Sequence, residues 1–94
     1  MTRARFVVRG AVQGVNFRAA AVREAEALGL TGCVWNTTDD AVALIAEGDA
    51  DSLAELQEWL ARGPGLAKVE GVDRADLDGD ARYQDFSIAY AAPE

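Results

Sequence analysis

The sequence predicts a small α+β fold whose elements follow the order β-α-β-β-α-β, with one extra strand at the end. Two stretches carry apolar residues at helical spacing, and short β-branched or aromatic runs stand before, between and after them. The 94 residues, half of them apolar, suffice for one domain, and we assign residues 1–94 to it.

The first half of the chain predicts a strand, a helix and a hairpin. The glycines of GAVQG separate the first strand from the helix, and Gly29 is the expected helix C-cap. A connection at 37–40 joins the two strands of the hairpin. These elements are placed at residues 5–9, 17–28, 33–36 and 41–47.

The second half predicts one more helix and two closing strands. Ser52 and Glu55 have the spacing of a capping box at the start of this helix, and Gly63-Pro64 ends it. Its apolar side carries Leu53, Leu56, Trp59 and Leu60. The strands are placed at 67–72 and 86–90. This order is typical of a ferredoxin-like sandwich, with one mainly antiparallel sheet and two helices on one face.

Charge is divided unevenly along the chain. Residues 1–23 contain five arginines and no acid, whereas residues 24–94 contain four basic and 16 acidic residues, within a total net charge of −7. The acidic bulk disfavours nucleic acid and anionic membranes as partners. The basic start can focus one small anion, although most of these arginines are expected to be solvated surface positions.

Missing residue types exclude several kinds of chemistry. The chain has no histidine, so it has no imidazole base and no histidine metal ligand. The run DLDGD fails as an EF-hand because Ala81 and Ser87 stand where glycine and glutamate are required. We therefore expect no metal and no cofactor. The single cysteine, Cys33, and the absence of a signal-like N-terminus favour a cytoplasmic protein.

The segment between the first strand and the first helix has the composition of an anion-binding loop. Gly10 and Gly14 allow the backbone to turn tightly and approach a ligand. Backbone N–H groups at the start of a helix attract anions, and the planar guanidinium of Arg18 suits two phosphate oxygens. A strand-to-helix turn of this kind is more often just a turn, so this pattern alone leaves the function open.

The full string GAVQGVNFR resembles the first signature of the acylphosphatase family, G-x-V-Q-G-V-x-F-R. The segment GLTGCVWN resembles the second signature of that family, G-x-V-x-N, and ends on Asn36. Glu47-Gly48, Gly63-Pro64 and the F-x-I of residues 86–88 also stand where family members commonly have them. The resemblance covers nearly the whole chain in order and spacing.

This resemblance implies a hydrolase that splits small acyl phosphates into a carboxylate and inorganic phosphate. It implies that Arg18 and loop N–H groups hold the phosphoryl oxygens and that Asn36 orients the attacking water. Val15 and Phe17 are expected to anchor the loop, with only their backbone touching substrate. The loop residues expected to bind phosphate through their backbone are Gln13, Gly14, Val15, Asn16, Phe17 and Arg18. Partners are limited to the small-molecule substrate and its phosphate product, and we expect a monomer.

Two positions depart from the family pattern. Trp35 occupies a position that is more often basic or polar, and we expect an exposed tryptophan that alters access to the site. Asp40 stands where glycine normally follows aspartate in the hairpin, and aspartate adopts positive φ less readily. We therefore expect a turn other than type I′, with no loss of the fold.

Two other functions stay open at this point. One is a phosphate- or carbamoyl-phosphate-binding module that lacks turnover. The other is RNA binding, because RNA-recognition motifs share this architecture; however, the β runs CVWN and AVALIAE contain one tryptophan and no basic residue.

Overall fold

The computed structural model describes residues 1–93, which form five strands and two helices. The strands build one sheet in the order β4-β1-β3-β2-β5, in which the β2–β5 pair is parallel and the others are antiparallel. The predicted fold class is confirmed. In chain order the elements are β1 (Thr2–Ala11), α1 (Phe17–Ala27), β2 (Thr31–Asn36), β3 (Val42–Gly48), α2 (Ala50–Arg62), β4 (Lys68–Leu77) and β5 (Phe86–Ile88).

Both helices pack on the same face of the sheet. Strand residues alternate between the two faces, so Phe6, Val8 and Val34 meet the helices while Cys33 and Trp35 face the other side. The helices contribute their apolar sides to the main core, as their spacing predicts. These buried helix residues are Phe17, Ala21 and Ala25 of α1 and Leu53, Leu56 and Leu60 of α2. Trp59 packs partly buried against the same core and meets the ring of Phe17 edge-on, with 5.7 Å between the ring centroids.

The end of α1 matches the expected glycine cap. Gly29 has φ +73°, and its N–H donates to the carbonyl of Glu26 at 3.0 Å. The N–H of Leu30 donates to the carbonyl of Ala25 at 2.9 Å, which completes a Schellman motif. This closure turns the chain directly into β2.

The start of α2 differs from the prediction. Asp49 is the N-cap, with extended φ −69° and ψ 145°, and its carbonyl accepts the N–H of Leu53 at 3.0 Å. Helical hydrogen bonding therefore begins before Ser52, which lies inside the first turn. The predicted capping box of Ser52 and Glu55 was wrong, and the side chain of the N-cap residue Asp49 makes no capping hydrogen bond.

The edge strand β4 is longer than predicted, and the edge strand β5 is shorter. β4 extends to Leu77 through a polar sequence because it pairs with β1 along its whole length. Its register shifts at Arg9 and Gly10, where Gly10 has φ +132°. A Cβ atom on Gly10 would lie 2.1 Å from the carbonyl oxygen of Lys68, so only glycine allows this approach. β5 ends at Ile88 instead of reaching residue 90.

The hairpin between β2 and β3 contains Asp40, for which a turn other than type I′ was predicted. A type I′ turn needs positive φ at two consecutive residues, and among residues 37–41 only Asp40 has one, at +69°. The turn is not type I′, as expected, but aspartate does take the positive φ that was expected to be unfavourable. The loop is closed by the N–H of Thr37, which donates to the carbonyl of Ala41 at 2.9 Å.

One buried carboxylate joins four segments at the opposite end of the sheet. Glu47 on β3 is 1% exposed and pairs with Arg3 on β1, with 2.9 Å between Nε and Oε2. The hydroxyl of Thr31 on β2 donates to Oε1 at 3.0 Å. The N–H groups of Arg82 and Tyr83 donate to the same carboxylate at 2.9 and 3.1 Å. Burial alone would raise the pKa of Glu47, but these donors outweigh it and hold the pKa below its usual value.

We expect Glu47→Gln to lower the free energy of unfolding by about 3 kcal/mol at pH 7, since it leaves Arg3 buried without its counter-ion. The difference from wild type should shrink as pH falls below the ordinary glutamate value of 4.5. A carboxylate with a lowered pKa stabilises the fold above that range and loses its contribution once it is protonated. Urea unfolding at pH 7 and pH 3 measures both effects. Glu70→Gln, at an exposed position of β4, is the control; an equal loss there, or a pH-independent difference for Glu47→Gln, would contradict the assignment.

Candidate active site

The loop from β1 to α1 is shaped by two residues in the left-handed region. Gly14 has φ +77° and Asn16 has φ +62° and ψ 24°. Asparagine tolerates this conformation better than most side chains. The chain then enters α1 at Phe17, and the side chain of the N-cap residue Asn16 makes no capping hydrogen bond. The N–H groups of the first helical turn therefore remain available to an anion, and the helix dipole favours negative charge there.

A pocket of about 270 Å³ opens at this helix start. It brings Arg18 and Asn36, which are 18 residues apart in sequence, to the same cavity wall. Four of the six predicted loop residues lie in this wall, namely Gly14, Asn16, Phe17 and Arg18; its other lining residues are Val12, Ala19, Asn36 and Ile88.

Of the five arginines among residues 1–23, Arg18 is the one that lines this pocket. It is half-buried, and among residues 1–93 no carboxylate lies within 4.0 Å of its guanidinium. Its Cζ atom lies 5.7 Å from the ring centroid of Tyr90, a cation–π contact. Arg3 is instead buried against Glu47, and Arg9 forms exposed ion pairs with Asp39 and Asp73. Two of the five N-terminal arginines thus form ion pairs, two others are exposed, and Arg18 lines the pocket.

Asn36 is the last residue of β2 and lines the pocket from the sheet. Its Oδ1 atom is buried and accepts no hydrogen bond from any of residues 1–93. A buried polar atom without a partner destabilises a fold, so such atoms are rare. Within residues 1–93, no protein hydrogen bond to this oxygen accounts for an amide at position 36.

Gln13 ties the loop to the hairpin beside Asn36. Its Nε2 atom donates to the carbonyl of Thr37 at 3.0 Å and to the carbonyl of Ala41 at 2.8 Å. Gln13 does not line the pocket, and neither does Val15, which packs partly buried against the main core. Both side chains hold the loop in place, and a pocket role for either is limited to its backbone.

Two aromatic residues differ from their predicted environments. Trp35 is 2% exposed, so the expectation of an exposed tryptophan was wrong. It is buried in the smaller cluster on the helix-free face, together with Cys33, Ala43 and Ile45. Tyr90 is 87% exposed, lies outside β5 and stacks on Arg18. That contact was not predicted from the sequence; the alternation of Ile88 and Tyr90 was its only sequence signal.

Residues 1–93 contain no cluster of three or more acidic or cysteine side chains arranged to hold a metal ion. Neither helix in this range is long and apolar enough to cross a membrane.

Comparison with known proteins places these features in a family. A family model described as Acylphosphatase matches residues 4–88. The chain belongs to the acylphosphatase family. The acylphosphatase of Methylococcus capsulatus is 46% identical over 88 residues, which cover 94% of this chain and 96% of that protein. Family membership makes the chain an enzyme of the hydrolase class, as its motifs predicted.

Solved structures of the family share the fold over nearly its whole length. An acylphosphatase from Coxiella burnetii is 40% identical with a TM-score of 0.89, covering 94% of this chain and 92% of that one. An acylphosphatase from Bacillus subtilis is 33% identical with a TM-score of 0.92, covering 96% and 100%. The family therefore retains this sheet order and helix placement at moderate sequence identity.

We expect Gln13→Met to lower the free energy of unfolding by about 1–2 kcal/mol, because it keeps the side-chain length but removes both donated hydrogen bonds. The loss should be local. Amide hydrogen exchange should accelerate in residues 12–18 and 37–41 more than in β1 or β3. Gln84→Met, at an exposed position, is the control. Exchange that accelerates uniformly over the sheet would refute a bridging role for Gln13.

Proposed function

We propose that this chain hydrolyses the carboxyl–phosphate bond of small acyl phosphates in the pocket shared by Arg18 and Asn36, releasing a carboxylate and inorganic phosphate. One observation carries the proposal. Two polar side chains from separate elements, neither paired with a charged group of residues 1–93, line one cavity at a helix start where the N-cap side chain makes no capping hydrogen bond.

The phosphoryl group lies at the start of α1. Its oxygens accept hydrogen bonds from the loop and first-turn N–H groups, which carry the positive end of the helix dipole. The guanidinium of Arg18 donates two parallel hydrogen bonds and balances charge that grows in the transition state. Tyr90 stacks on that guanidinium and restricts where it points.

Asn36 positions the water. An amide can accept a hydrogen bond from water or donate one to it, but it is too weakly basic to remove a proton at neutral pH. The water oxygen bonds to phosphorus as the bond from phosphorus to the carboxyl oxygen breaks. The water proton passes to a phosphoryl oxygen, and the carboxylate leaves without protonation. Phosphoryl transfer of this kind depends mainly on positioning and charge stabilisation.

Phosphate release from acetyl phosphate in the presence of EDTA tests the function. Turnover should persist under chelation, and inorganic phosphate should compete with the substrate because it occupies the same cradle. ATP and p-nitrophenyl phosphate serve as controls that lack the mixed anhydride. Binding of phosphate without turnover of any acyl phosphate would instead favour the non-catalytic binding module.

Arg18→Ala should lower kcat/KM for acetyl phosphate by at least about 10²–10³-fold, since it removes the only side-chain cation proposed at the phosphoryl group. The inhibition constant of inorganic phosphate should rise with it. Arg18→Lys should restore little, because a point charge cannot reproduce two parallel hydrogen bonds. Arg23→Ala, exposed on the same helix, is the matched control. Near-native kcat in Arg18→Ala would exclude the proposed mechanism.

Asn36→Ala should lower kcat by on the order of 10²-fold and leave the phosphate inhibition constant nearly unchanged. The anion is held by the loop, whereas the amide acts mainly on the water in the transition state. Asn36→Asp should be more damaging still, because a carboxylate would repel the phosphoryl group. Steady-state kinetics of both variants, with Thr38→Ala as a neighbouring control, separate the two roles. A raised inhibition constant with unchanged kcat would place Asn36 in the anion cradle.

A further inference from the structure

The pocket at the start of α1 offers no proton to a leaving group. Among residues 1–93, Arg18 is the only residue of its lining with an ionisable side chain, and an arginine does not give up its proton in a protein. The amide of Asn36 is too weak an acid for this task. Tyr90 carries a phenol, but it lines a neighbouring cavity, and its ring lies on the guanidinium of Arg18. A group that leaves phosphorus in this pocket therefore departs without a proton from the lining side chains.

Two classes of phosphoryl compound meet this requirement. The carboxylate of an acyl phosphate leaves as a stable anion, which is the basis of the proposed function. A phosphoramidate, in which phosphorus is bonded to nitrogen, carries the necessary proton itself, because a protonated nitrogen leaves as a neutral amine or as ammonia. A phosphate ester of an ordinary alcohol or phenol forms a basic anion instead, and its departure needs a general acid.

The groups that hold the phosphoryl group serve both classes alike. The guanidinium of Arg18 has no carboxylate within 4.0 Å in the described part of the chain, and the buried Oδ1 atom of Asn36 has no hydrogen-bond partner there. Phosphoramidate is smaller than acetyl phosphate, so a pocket of about 270 Å³ admits it. Its protonated nitrogen also lowers its net negative charge, which reduces repulsion from a chain of net charge −7.

Resting on the proposed function, we infer that the same pocket hydrolyses phosphoramidates whose nitrogen is protonated. The oxygen of the water positioned by Asn36 bonds to phosphorus as the phosphorus–nitrogen bond breaks. The electron pair of that bond stays on nitrogen, which keeps its hydrogens and leaves phosphoramidate as ammonia. One proton passes from the water to a phosphoryl oxygen, and the second product is dihydrogen phosphate. The substrate zwitterion and this phosphate carry the same net charge, so the step balances.

Release of ammonia and phosphate from phosphoramidate, with EDTA present and the protein-free rate subtracted, tests the inference. Wild type should turn it over, and Arg18→Ala and Asn36→Ala should each lower kcat/KM by on the order of 10²-fold. Arg23→Ala, exposed on the same helix, is the control and should change nothing. Acetyl phosphate should compete with phosphoramidate, with an inhibition constant equal to its own KM. Phenyl phosphate, whose leaving group needs a proton, should not be hydrolysed.

The pH dependence separates the two classes of substrate. The value of kcat/KM for phosphoramidate should fall once the pH is high enough to remove the proton from its nitrogen, because the strongly basic amide anion is a poor leaving group. Acetyl phosphate needs no such proton, so the ratio of phosphoramidate to acetyl phosphate turnover should fall with it. Taking this ratio within one preparation cancels any effect of pH on the protein itself.

Acetyl phosphate turnover without release of ammonia above the protein-free rate would overturn the inference and leave the proposed function standing. Phosphoramidate turnover that survives Arg18→Ala would also overturn it, since the reaction would then occur elsewhere. Hydrolysis of phenyl phosphate, or a ratio that does not change with pH, would refute the role assigned to the proton on nitrogen. Failure of the proposed function would appear differently, as acetyl phosphate turnover that is absent or insensitive to Arg18→Ala.

Discussion

The geometry of the site depends on the two hydrogen bonds that Gln13 donates to the hairpin. They join the loop after β1 to the carbonyls of Thr37 and Ala41, on either side of the turn that follows Asn36. The loop carries the proposed anion-binding groups and the hairpin carries the amide of Asn36. The proposed reaction needs both groups at a fixed distance from each other, and the Gln13 hydrogen bonds maintain that distance. Gln13 reaches across the gap with a side chain, and this leaves the backbone N–H groups of the loop free for ligand.

The opposite end of the sheet is organised around charge. Glu47 accepts hydrogen bonds from two strands and one loop: from Arg3 on β1, from Thr31 on β2 and from the backbone N–H groups of residues 82–83. The polar segment that follows β4 is also held to the sheet by the carbonyls of Asp78 and Asp85, which accept hydrogen bonds from the Arg3 side chain and from the N–H of Gly32. A buried ion pair contributes less to stability than its Coulomb attraction implies, but breaking it leaves a stranded charge. This end therefore joins β1, β2 and β3 to the segment that follows β4.

The two faces of the sheet have different parts in the proposed chemistry. The helix-covered face carries the phosphoryl cradle, where backbone groups and Arg18 serve any acyl phosphate alike. On the helix-free face, Trp35 is buried together with Cys33, Ala43 and Ile45, and this packing supports the end of β2 that carries Asn36.

Local patterns determined most of the secondary structure and the family. The apolar spacing of both helices, Gly29 and the alternation of the strands are short-range signals, and each predicted its element correctly. The strings around Arg18 and Asn36 identify the family because a specific order of side chains is written directly in the sequence. Boundaries were predicted less well: the composition around Ser52 favours a cap, but backbone hydrogen bonding from Asp49 starts α2 earlier.

The partners of individual side chains were decided by the tertiary structure alone. Five arginines open the chain, and nothing local distinguishes Arg3, which is buried against Glu47, from Arg18, which faces the pocket. Trp35 was predicted to be exposed beside Asn36. Strand alternation instead places it on the helix-free face, where residues distant in sequence cover it. The stack of Tyr90 on Arg18 joins positions 72 residues apart. Such contacts depend on which strands become neighbours, and that order arises only when the whole sheet forms.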